Sequence, residues 1–105
     1  MSLPNENDAW LALQKINETN LSYAQAFAKC AATEKEIKVA KMRGLPDSGT
    51  VIEREKRAIL SEIYLEACGK NNDAIFEKVH LEVQRESWML TFKFWQSLNA
   101  NMRQS

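Results

Sequence analysis

Residues 86–98 read ESWMLTFKFWQSL and place four of the chain's nine aromatic residues, Trp88, Phe92, Phe94 and Trp95, within eight positions. Extended outward, the same segment runs from about residue 73 to 101 with neither Gly nor Pro. That spacing predicts one long helix. At 100° per residue its apolar side chains sort into two stripes. Phe76, Val79, Val83, Leu90 and Phe94 form the first; Leu81, Trp88, Phe92, Trp95 and Met102 form the second. His80, Gln84, Ser87 and Thr91 lie between them, and Lys78, Glu82, Arg85, Glu86, Lys93 and Gln96 occupy the other side. The apolar arc spans roughly 220°, about twice the minimum stripe of a surface helix. Such a helix needs two partners.

The partners are sought upstream. A first helix is expected over about residues 7–43, started by Asn5 or Asn7, with Trp10, Leu13, Ile16, Ala24, Phe27, Ala28 and Ala31 recurring at three- and four-residue steps. Asn17 and Asn20 interrupt that face, and continuity through them is favoured. The apolar face then dissolves into TEKEIKVAKMR before the loop GLPDSG at residues 44–49. Thr50 and Glu53 have capping-box spacing and open a second helix over about 51–68, with Ile52, Ile59, Leu60, Ile63 and Ala67 turned to the core. Gly69 is expected as its left-handed terminator, and KNN leads into helix three. The expected fold is all-α: an antiparallel helical hairpin of helices one and two plus the long third helix, resembling a three-helix bundle and completed by self-association. A third helix of 25–30 residues spans roughly 37–45 Å against about 30 Å for the second, so part of it overhangs.

Composition agrees with this class. Three Gly and two Pro in 105 residues are too few for the closely spaced turns of a many-stranded β fold. The length suits a single domain, 1–105. Fourteen basic and fourteen acidic residues cancel, so no whole-molecule field draws the chain to nucleic acid or an anionic membrane. Cys30 and Cys68 form no CxxC pair and no disulfide framework, which fits reduced, packed thiols in a cytoplasmic protein. The opening MSLPNENDAW lacks a basic stretch followed by an apolar run, and no 18-residue apolar segment occurs, so neither a leader nor a membrane span is expected.

Reactive chemistry is sparse. The single histidine, His80, reads as a buried, hydrogen-bonded residue rather than a catalyst, since no nucleophile or carboxylate clearly converges on it. One His and two isolated Cys do not make a metal site, and neither GLPDSG nor CGK resembles a phosphate-cradling loop. No cofactor, metal or catalytic residue is expected. The preferred expectation is a non-enzymatic interaction or assembly module that self-associates through Leu81, Trp88, Phe92, Trp95 and Met102. The alternative is a nucleic-acid-binding regulator using Lys38, Lys41, Arg43, Arg54 and Arg57 at the basic hairpin-loop end. Against it, five acidic residues share that end with seven basic ones, leaving a net of only +2.

Overall fold

The computed structural model describes residues 3–45 and 49–104. All regular structure among them is helical: α1 is Glu6–Arg43, α2 is Val51–Ile59 and α3 is Glu62–Gln104. The fold is all-α, with α1 packed antiparallel along α3. Helix one runs through Asn17 and Asn20 without a break, as favoured from the sequence. Asn5 is its cap. The Asn5 Oδ1 accepts the Asp8 N–H at 2.8 Å, and the Asp8 carboxylate accepts the Asn5 N–H at 2.9 Å.

Helix two starts where expected. The Thr50 hydroxyl accepts the Glu53 N–H at 3.2 Å, and Glu53 reaches back to the Thr50 N–H. Before it, Gly49 sits at φ 111°, in the left-handed region that glycine tolerates. Pro46, Asp47 and Ser48, the middle of the expected loop, lie outside the described residues.

The expected boundaries of helices two and three, 51–68 and 73–101, are corrected to 51–59 and 62–104. The break falls at Leu60 and Ser61. The Ser61 N–H turns to Ala58 O, the Ser61 hydroxyl donates to the same carbonyl at 2.7 Å, and the Ser61 Oγ accepts the Tyr64 N–H at 3.2 Å. Ser61 is thus the N-cap of α3. Gly69 and KNN, expected to end a helix, lie inside α3. The seam residues on either side explain this: Tyr64, Ala67, Asn71 and Ala74 are buried or half-buried, and that packing outweighs the roughly 1 kcal/mol that a helical glycine costs. The hairpin that organises the chain is therefore α1 with α3, and α2 is a short linking helix.

The chain divides into two compact units, Met1–Ala24 with Val79–Ser105, and Gln25–Lys78. In the first, the inward positions are Ala9, Ala12, Ile16, Thr19 and Tyr23 on α1 and Leu81, Arg85, Trp88, Phe92 and Trp95 on α3. In the second they are Ala26, Cys30, Thr33, Ile37 and Ala40, facing Tyr64, Ala67, Asn71, Ala74 and Lys78. Both sets step alternately by three and four, the 3.5-residue repeat of a coiled-coil seam. Arg85 bonding Thr19 fixes the register of the first unit, and Thr33 bonding Asn71 that of the second. In that register Ala9 falls level with Trp95, Ala12 with Phe92, Ile16 with Trp88 and Ala40 with Tyr64. Small residues on α1 make room for large rings on α3.

The α1 face expected to point inward is turned away from the seam over much of its length. Trp10, Ala24, Phe27, Ala28 and Ala31 are exposed, while Ile16 is buried. A stripe drawn at 3.6 residues per turn drifts by about 20° per heptad from a 3.5-residue seam, so the two part company along a 38-residue helix.

Candidate functional site

In the first unit, α1 and α3 enclose a polar seam layer and, beside it, an open apolar groove. The layer centres on Arg85. Its guanidinium donates to Ile16 O and Thr19 Oγ1, both at 2.8 Å, and to Asn20 Oδ1 at 2.7 Å. It also stands 5.1 Å from the centre of the Tyr23 ring. The Tyr23 hydroxyl in turn donates to Glu82 Oε1 at 2.8 Å. That bond, then partial burial and the Glu82 charge, raise the Tyr23 pKa above its usual 10.0, with Arg85 pulling the other way. The fork geometry of arginine suits three acceptors on one helix turn. Asn20, which looked like a flaw in an apolar face, is one of them.

The second unit carries a matching but neutral layer. The Thr33 hydroxyl, buried in the seam, lies 2.9 Å from both Lys29 O and Asn71 Oδ1. Lys29 pairs with Glu77 at 3.4 Å on the exposed rim, and Lys78 stands 4.8 Å from the Phe27 ring centre. Nearby, the hydrogen bond of Tyr64 to Cys68 raises the Tyr64 pKa. Both cysteines are half-buried and unlinked.

The groove of the first unit has a volume of about 770 Å³, with Leu11, Ala12, Leu90 and Phe94 among its walls and Asp8 and Lys15 on its α1 edge. Trp88 reaches it from the seam.

The expected interface residues divide. Leu81, Trp88, Phe92 and Trp95 are half-buried at seam positions, whereas Met102 is 76% exposed. Phe92 and Trp95 lie against each other, with ring centres 6.0 Å apart. The first stripe of α3, Phe76, Val79, Val83, Leu90 and Phe94, is exposed throughout, up to 75% at Phe76. The alanines expected on the inner face, Ala24, Ala28 and Ala31, are exposed, and the small residues that let the helices approach are Ala9, Ala12, Ala26, Thr33 and Ala40.

The basic residues of the hairpin-loop end all belong to the second unit. Lys38, Arg43 and Arg57 are exposed; Lys41 and Arg54 are half-buried. Arg43 lines a groove near the end of α1 whose charges are mixed, with Lys35, Glu36, Glu66 and Lys70 beside it. His80 is exposed on α3, which corrects the expectation of a buried histidine. Gln84 and Ser87 of the same polar insert are exposed as well, and Thr91 is half-buried. Among the described residues no group of three or more His, Cys, Asp or Glu side chains is placed to hold a metal, and no helix is long and apolar enough to cross a membrane. Neither a scan of protein-family models nor searches of curated proteins and of solved structures found a match to this chain.

Proposed function

We propose that this chain is a non-enzymatic helical assembly module of the cytoplasm whose partner is a second copy of itself. The observation that carries this reading is surface left uncovered. The chain exposes 8147 Å², about 2,000 Å² more than the roughly 6,000 Å² of a folded monomer of 12.1 kDa. Large apolar side chains are among the exposed groups. Val83, Leu90, Phe94 and Leu11 in the first unit are between 48% and 61% exposed, and no large side chain among the described residues is fully buried. A standard protein interface removes about 800 Å² from each partner, well within that excess. Burying each such side chain contributes about 1.5–3 kcal/mol, which favours association over a bare apolar face.

The seam already uses Leu81, Trp88, Phe92 and Trp95, so the face available for association is the opposite stripe of α3. Replacing Val83 and Leu90 together by Glu tests this. Light scattering should show the paired variant as a monomer at concentrations where the parent chain associates, with helical circular dichroism retained. Unchanged association of the variant counts against this face.

A further inference from the structure

We infer that two copies join through the groove of the first unit about a two-fold axis that sets α1 antiparallel to α1 of the partner, with the exposed Leu11 at the centre. This rests on the self-assembly reading above and specifies its geometry. The groove edge on α1 carries Asp8 and Lys15, an acid and a base one heptad apart, with Leu11 and Ala12 midway between them. The α3 wall adds no charge, being built of Ser87, Trp88, Leu90, Thr91 and Phe94. An isologous contact brings residue i against j and j against i. Rotation about an axis at the level of Leu11 therefore lays each Asp8 beside a Lys15 and apolar wall on apolar wall. A parallel alignment in register sets like charge against like. Asp8 and Lys15 are both exposed, so the pairs select orientation while the apolar walls supply affinity. The copies together then present four helices around a shared apolar centre.

Spin labels test the orientation. In a Cys30→Ala/Cys68→Ser background, cysteines are placed singly at Gln14 and at Leu21, both exposed and seven residues apart on α1. About a two-fold centre near residue 11, the axial separation of equivalent labels grows by roughly 3 Å per residue. The Leu21 pair should therefore lie at least 10 Å farther apart than the Gln14 pair. Equal distances at the two sites overturn the antiparallel arrangement while leaving self-assembly standing; a monomer overturns both.

Charge gives an independent reading. Lys15→Glu should weaken the dissociation constant about tenfold, since two attractions become repulsions. Adding Asp8→Gln, which keeps an N-terminal capping partner but removes the charge, should recover part of that loss. A dissociation constant unaffected by Lys15→Glu, with helicity intact, overturns the assignment of these two charges.

Discussion

Arg85 shows how one side chain sets the alignment of two helices. It faces the seam, where a leucine would be the ordinary occupant, and spends its donors on Ile16 O, Thr19 and Asn20. Sliding α3 by one turn separates all three acceptors from it, so the contact favours one register at some cost in stability. Arg85→Lys keeps the charge and loses the fork. Urea unfolding should show Arg85→Lys less stable by about 1–3 kcal/mol, the usual loss when a charge-assisted hydrogen-bond set is broken. The neighbouring Tyr23 makes a pH-dependent contribution. Its folded pKa is raised above 10.0, so its contribution is complete below pH 10 and is lost as pH climbs through the raised value. Unfolding midpoints followed from pH 8 to 11 should fall at the alkaline end, and Tyr23→Phe should reduce that fall.

Among the elements, α3 departs furthest from what its sequence announces. The capping box of α2, the cap of α1 and the absence of Gly or Pro from 73–101 are local signals, and local structure obeys them. Gly69 was equally local as a signal and misled, because the decisive term was distant: Ala67, Asn71 and Ala74 pack across from α1. Ser61 was a legible cap hidden by the apolar residues Ile59, Leu60 and Ile63, whose spacing let a helix be drawn straight through it. Glycine substitutions separate the cases. A Cβ at Gly69 meets nothing within 4 Å, so Gly69→Ala should stabilise by about 0.5–1 kcal/mol through helix propensity. A Cβ at Gly44 comes 2.6 Å from Ser61 Oγ and 3.2 Å from its Cβ, so Gly44→Ala should lower the thermal midpoint.

For the whole molecule, the all-α class and the two stripes of α3 were readable because large apolar residues recur with helical spacing. Which stripe faces α1 was not. Both are apolar enough to pack, and the choice lies in the small residues of the other helix: Ala9, Ala12 and Ala40 leave space level with Trp95, Phe92 and Tyr64. The candidate interface was therefore legible as a pair of faces, and only the pairing of α1 with α3 separates the covered face from the open one. The open face is the observation on which the proposed self-association rests. Sedimentation equilibrium over the micromolar range measures it directly. A mass about twice the 12.1 kDa of the chain, reversible on dilution, is the expected result. A constant mass of one chain across the whole range contradicts it.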